Sequence, residues 1–87
     1  ANSSIFYFNQ ENECDFLIKQ KEKIVQAVQV CYRLDDDNKD REFNGLLDAL
    51  KEFKLKKGLI ITYDQEDKIK LEGREIIIKP AWKWLLE

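Results

Sequence analysis

The sequence predicts an α/β domain: a mixed β-sheet of about five or six strands in the element order β-β-β-α-β-β-β-α. Three observations carry this. Short β-branched and aromatic runs, separated by polar turns, recur in both halves of the chain. A single segment, from Phe43 to Phe53, spaces its apolar residues at helical intervals. A helix lying between two strands is a crossover, so the strands on either side of it run parallel within an otherwise antiparallel sheet. At 87 residues the chain forms one domain, and folding buries roughly 60% of the surface exposed when unfolded.

The elements follow in order. Ile5-Phe6-Tyr7-Phe8 reads as a strand, and Asn9 to Asn12 as a polar turn. Glu13 to Gln20 alternates, with Cys14, Phe16 and Ile18 on one side and Asp15, Leu17 and Lys19 on the other. A polar turn at 20–23 leads to Ile24–Arg33, an apolar run suited to a central strand covered on both faces. These three strands make an antiparallel meander. Asp35, Asp36, Asp37 and Asn38 supply N-cap candidates and first-turn acids. Phe43, Leu46, Leu47, Leu50 and Phe53 then mark one face of a helix of about 18 residues. Lys56 and Lys57 suit its negative end, and Gly58 is expected to stop it. Gly45 costs up to about 1 kcal/mol relative to Ala and is expected to let the helix approach the sheet.

Leu59–Tyr63 is a buried-type strand. Lys68–Leu71 and Arg74–Lys79 flank Glu72-Gly73, a tight hairpin turn with Gly73 at positive φ. Pro80 permits a short last helix, Ala81–Glu87. Trp82 and Trp84 lie about 200° apart on it. Trp82, with Leu85 and Leu86, is expected to dock on the sheet. Trp84 is then either a partly exposed anchor for a partner or a ring folded back over Ile5–Phe8 or the last strand. Residues 1–4 read as a tag remnant or excision boundary, and 5–87 as a single domain.

Composition removes several functions. A net charge of −2, from 15 bases and 17 acids interleaved along the chain, argues against broad attraction to nucleic acid or anionic lipid. No apolar run approaches the ~20 residues of a membrane helix. Histidine is absent, so Ser-His and Cys-His pairs and histidine zinc sites are excluded. Cys14 and Cys31, with no CxxC spacing, suit a reducing cytosol and read as small buried residues, with a disulfide or reactive pair as the alternative. No GxxxxGK[ST] loop exists, so this chain itself is not expected to hydrolyse ATP.

One constellation bears on chemistry. Asp15 lies mid-strand, and Gln29 and Cys31 share one face of the next strand. Pairing those strands about a turn centred near residue 22 puts Asp15 at the level of Gln29. The plainer alternatives are a sheet-margin Asp15 paired with Lys19 or Lys23, and Gln29 and Cys31 merely filling the interface under the helix. Asp35–Asp37 lacks EF-hand spacing and reads as capping. The lysines at 19, 21, 23, 51, 54, 56 and 57 read as a solvated surface.

An Asp in one strand, Glu-x-Lys in the next, then a helix and a strand is the layout of the PD-(D/E)xK nuclease fold. More closely, IFYFNQENECDFLI, QAVQVCYRL, GLIITYD and IIIKPAWKWLLE resemble the C-terminal domain of unknown function of predicted prokaryotic AAA+ ATPases. The resemblance runs from about Ile5 to Leu86. It implies a restriction-endonuclease-like core with one long helix on a face and a short C-terminal helix. In an active member the two carboxylates hold Mg²⁺ and the lysine assists the attacking water. Here Asp15 is kept, Gln29 stands for the Glu and Cys31 for the Lys. A further acid, usual on a helix before the first strand, has no counterpart here.

The resemblance therefore implies a vestigial nuclease site at Asp15, Gln29 and Cys31, with no catalytic residue, metal or cofactor. The domain is expected to be a cytoplasmic, non-catalytic accessory module. Its partners would be the parent ATPase domain in cis, another protein or a second copy, with Trp84 as contact candidate; nucleic acid is a further partner class, one that the net charge does not support, and no membrane is expected. A divergent metal-dependent nuclease and a plain protein-interaction module are the alternatives.

Overall fold

A computed structural model of the chain describes residues 16–87 in full and residues 3–7 by their backbone. The elements are β1 (Ser3–Tyr7), β2 (Phe16–Gln20), β3 (Lys23–Val30), α1 (Lys39–Glu52), β4 (Lys57–Thr62), β5 (Asp67–Leu71), β6 (Arg74–Pro80) and α2 (Ala81–Leu86). The strands form one mixed sheet in the spatial order β1-β2-β3-β4-β6-β5. The α/β class, the mixed sheet and the two helices are as the sequence predicts.

The β1-β2-β3 meander is antiparallel. Phe16 lies opposite Val28 and Leu17 opposite Ala27, with a bulge between Ile18 and Lys19 before the two-residue loop Lys21-Glu22. That loop holds Lys21 at φ 56°. α1 then returns the chain so that β4 runs parallel to β3, pairing Gln29 with Ile60. β6 lies parallel to β4 on its far side, and β5 is the antiparallel edge. The β5–β6 loop is the two-residue turn expected, with Glu72 at φ 50° and Gly73 at φ 76°. Both central residues at positive φ is the twist that suits a tight hairpin.

The sheet's two faces differ because side chains alternate along each strand. One face carries Leu17, Ala27, Ile60, Ile76 and Ile78 against Leu46, Leu47, Ala49 and Leu50 of α1. The other carries Val28, Leu59 and Ile61, covered in part by Ala81 and Trp84 of α2. A β-strand read as continuously apolar is thus buried unevenly: Ala27 and Val28 are enclosed, whereas Val25 and Val30 keep open sides.

Three sequence expectations are corrected. α1 ends at Glu52, not at Gly58, because the chain closes a Schellman turn there. The Leu55 amide donates to the Leu50 carbonyl at 2.8 Å and the Lys54 amide to Lys51 at 3.3 Å, with Lys54 at φ 57°. Leu55 then packs on the core, which fixes the exit of the chain. Gly58 is a strand residue, and it marks a close approach between sheet and helix. A Cβ there would lie 2.8 Å from Leu46 Cδ2 and 2.9 Å from its Cγ. Gly45 is buried within α1. Finally, the roles of the two tryptophans are exchanged. Trp84 is the ring that docks on Val28, Leu59 and Ile61, and Trp82 is 60% exposed along with Leu85 and Leu86. The helix leaves Pro80 with Ala81 toward the sheet, and Trp84, three residues on, falls on the same side.

Gly58→Ala tests the close approach. Leu46 is fully enclosed, and both its Cδ2 methyl and its branch point meet the added methyl. The substitution is expected to cost about 1–3 kcal/mol in urea denaturation, the range for overpacking a filled core.

Candidate functional site

β3 and α1 bring together the residues the sequence singles out and one that it does not. Gln29, the penultimate residue of β3, is only 5% exposed. Its Nε2 donates to Glu42 Oε1 at 2.9 Å. Glu42 sits one turn before Leu46 on α1 and is buried with it. The Arg41 guanidinium, largely in solvent, reaches Glu42 Oε2 at 3.5 Å. An amide under a helix and a carboxylate on that helix thus satisfy one another in a largely apolar interface. Among the described residues no buried side-chain nitrogen or oxygen lacks a partner.

Cys31 continues the same side of the chain and packs at the margin of the helix-side core. Its thiol donates to the Arg33 carbonyl at 3.3 Å and accepts from Asn38 Nδ2 at 3.7 Å. Asn38 Nδ2 also donates to the Arg33 carbonyl at 2.9 Å. Burial pushes the thiol above its ordinary value, and the negative charge of Glu42 pushes it further. The group is therefore a neutral thiol at physiological pH, and its nucleophilic form is scarce.

The acid cluster before α1 is a capping device, as its sequence suggests. Asp35 Oδ1 accepts from the amides of Asp37 and Asn38 at 2.9 and 3.0 Å, and Asn38 Oδ1 accepts from the Asp35 amide at 3.0 Å. Asn38 occupies the N-cap position without a side-chain cap of its own, since its side chain is committed to Asp35, Cys31 and Arg33.

Gln29 and Cys31 lie on one side of the sheet, next to Glu42. Asp15 lies outside the described residues. Glu42 is the residue that the sequence reading missed. Its signal was its position four before Leu46, which puts it on the buried stripe.

The implied Mg²⁺ does not fit the donors described. Gln29 offers a neutral amide, Cys31 a soft neutral sulfur, and Glu42 is engaged by Gln29 and Arg41. Among the described residues no group of three His, Cys, Asp or Glu side chains is arranged to hold a metal ion. On the opposite face, Trp84 lines a shallow apolar cavity of about 230 Å³ with Phe16, Ile18, Val28, Val30 and Ile61. Among the described residues no helix is long and apolar enough to cross a membrane.

Comparison with known proteins finds a similar sequence in a protein of Methanocaldococcus jannaschii described only as uncharacterized. It is 40% identical over 92 residues, which covers 98% of this chain and 20% of that protein. The chain thus spans about a fifth of the relative's length. No protein-family model matches the chain, and no solved structure matches it.

The placement of Glu42 against Cys31 is open to a chemical check. In a Cys14→Ser background, iodoacetamide is expected to modify Cys31 with a pH midpoint above that of an ordinary thiol, whose reference value is 9.0. Replacing Glu42 with Gln removes a charge that opposes the thiolate, so the midpoint is expected to move down. An unmoved midpoint would separate the two groups.

Proposed function

We propose that this chain is a non-catalytic accessory or interaction domain with a vestigial nuclease site, of the kind carried at the C-terminus of predicted AAA+ ATPases. The observation that carries the reading is the pairing of Gln29 with Glu42 beside a neutral Cys31 thiol. Where a working nuclease needs a second free carboxylate and a cation, these positions present an amide already engaged and a thiol that stays protonated. The architecture is compatible with the resemblance. A three-stranded antiparallel meander is followed by a crossover helix and a strand parallel to the third. A longer relative, of which this chain spans a fifth, is what an accessory domain calls for.

On this reading the partners are the motor domain of the same chain, another protein or a second copy, and the protein works in the cytoplasm. Trp84 contributes through the apolar cavity that it lines, rather than as a free ring. A divergent metal-dependent nuclease is the second reading. Glu42 favours it, because α1 returns a carboxylate to the position where Gln29 lacks one.

Incubation of the chain, and of the longer relative, with single- and double-stranded DNA and RNA in Mg²⁺ or Mn²⁺ separates the two. No cleavage above the Asp15→Ala control is expected. Cleavage lost on Asp15→Ala or Glu42→Gln would make the second reading the correct one.

A further inference from the structure

The two ends of the sheet carry opposite charge. β3, β4 and β6 run parallel, α1 runs back between β3 and β4, and β2 and β5 are antiparallel to their neighbours. The β2–β3 loop, the exit of α1 into β4 and the β5–β6 turn therefore meet at the end where the parallel strands begin. Residues 19–23, 51–57 and 70–75, which form that end, hold nine bases and four acids. The other end, where β3 and β4 finish and α1 starts, is formed by residues 31–40 and 64–67, with seven acids and two bases. A surplus of five positive charges at one end thus faces away from a surplus of five negative charges at the other, and the net charge of −2 conceals both. β6 alone, seven residues long, keeps the ends about 20 Å apart.

Much of this charge is unmatched within the fold. At the basic end Lys51 pairs with Glu72 at 2.6 Å, Lys19 with Glu22 at 3.7 Å and Lys57 with Glu75 at 3.8 Å. Lys21, Lys23, Lys54, Lys56 and Lys70 are exposed and have no ion-pair partner among the described residues. At the acidic end Asp36 pairs with Lys39 at 3.1 Å, and Glu66 with Lys83. Asp35, Asp37, Asp40, Asp64 and Asp67 are exposed and likewise have no ion-pair partner among the described residues.

Both ends are held by hydrogen bonds, so little order is lost when they dock. At the acidic end the Tyr63 amide donates to the Tyr32 carbonyl at 3.0 Å, and the two rings stack with centroids 5.1 Å apart. Gln65 Oε1 accepts from the Leu34 amide at 2.7 Å, and Gln65 Nε2 donates to the Leu34 carbonyl at 2.9 Å. The Thr62 hydroxyl donates to the Gln65 carbonyl at 2.8 Å. A recess of about 430 Å³ lies there, walled by Asp35, Asp36, Glu66 and Asp67, with Lys39 at its border. At the basic end Arg74 Nε donates to the Leu55 carbonyl at 3.1 Å and the Glu75 amide to the Lys56 carbonyl at 2.8 Å.

We propose that copies of this chain associate head to tail, the basic end of one on the acidic end of the next. The chain itself supplies both halves of the contact: five unpaired lysines on one end and five unpaired aspartates on the other. The minority charges match as well, because the four glutamates of the basic end meet a surface that carries Arg33 and Lys39. The uniformly negative backbone of a nucleic acid offers those glutamates nothing. Among the described residues the basic end also shows no exposed large ring on which bases would stack. The contact is heterologous, so each added copy leaves one free end of each sign and the assembly grows as a line. Exposed ion pairs are individually weak and screened by salt, so the association belongs to low ionic strength. The proposal rests on the reading of the domain as an interaction module, and chooses the second copy among its partners.

The test is sedimentation velocity of the chain over a concentration series in about 20 mM and about 300 mM NaCl. The weight-average mass is expected to rise with concentration at the lower salt and to return to that of the monomer at the higher. Lys23→Glu with Lys56→Glu removes most of the surplus at the basic end, and Asp37→Lys with Asp64→Lys most of that at the acidic end. All four positions are exposed, so both double variants are expected to keep the fold, which circular dichroism checks. Each double variant alone is expected to self-associate at least about tenfold more weakly. Mixed, the two variants retain one intact end of each sign and are expected to form a dimer that grows no further. A monomer at both salts, association that persists at high salt, association unchanged in either variant, or a mixture without the dimer would each overturn the proposal. Binding of a labelled oligothymidylate to a chain that stays monomeric, lost in the lysine variant, would assign the basic end to nucleic acid instead. If the chain stays monomeric and no nucleic acid is cleaved, this contact is lost but the interaction-module reading stands. Cleavage of nucleic acid would remove that reading itself.

Discussion

A hydrogen bond from a buried amide to a buried carboxylate ties the central strand to the helix that leaves it. Gln29 belongs to β3, the strand where the antiparallel half of the sheet meets the parallel half. Glu42 belongs to the first turns of α1, and both side chains sit in the interface formed by Ala27, Leu46 and Ile60. A polar atom in such a place costs free energy unless it is matched, and a charged one costs more. Matched, the pair contributes about 1.5–3 kcal/mol net. It also favours one rotation of α1 about its axis, because turning the helix either way parts the carboxylate from Gln29, toward solvent in one sense and against aliphatic side chains in the other. The close contact of Leu46 with Gly58 fixes the same helix against β4. The two constraints lie one helical turn apart, and together they set the entrance of α1 over the sheet.

Much of the architecture was legible because it follows from periodicity. Alternation in the second strand, the stripe from Phe43 to Leu50 and the Glu72-Gly73 turn each specify a local conformation with few competitors. What escaped was set by tertiary contacts. Glycine is the usual residue at a helix end, so Gly58 looked like a stop. In the fold, Lys54 takes the left-handed position, and the need for space under Leu46 explains the glycine. The two tryptophans have equal claims on a core by composition. Their assignment depends on the direction in which Pro80 launches α2, which no local pattern states. Glu42 was passed over for a related reason: a carboxylate at a buried helical position is unexpected until its amide partner across the interface is known.

The same bond governs what the candidate site offers chemically. With Gln29 donating to it and Arg41 at its outer oxygen, Glu42 is a paired group, and its charge adds to the burial that raises the Cys31 thiol above its ordinary value. The sheet end beyond it is different in kind. There the loops are held by Gln65 and Thr62, and carboxylates and aromatic rings face solvent. The fold thus uses its polar residues in two ways: inward to orient a helix, and outward on a preorganised acidic surface.

The most direct measurement is a double-mutant cycle on Gln29 and Glu42. Gln29→Leu, Glu42→Leu and the pair together would be compared by urea denaturation. Each single change strands a buried polar partner, whereas the double change replaces both with apolar groups of similar size. The account expects a coupling of about 1.5–3 kcal/mol, with the double variant more stable than the sum of the singles implies. Additivity within about 0.3–0.5 kcal/mol would mean that the two side chains do not depend on each other. The view of this site as a structural pair occupying a nuclease's position would then fail.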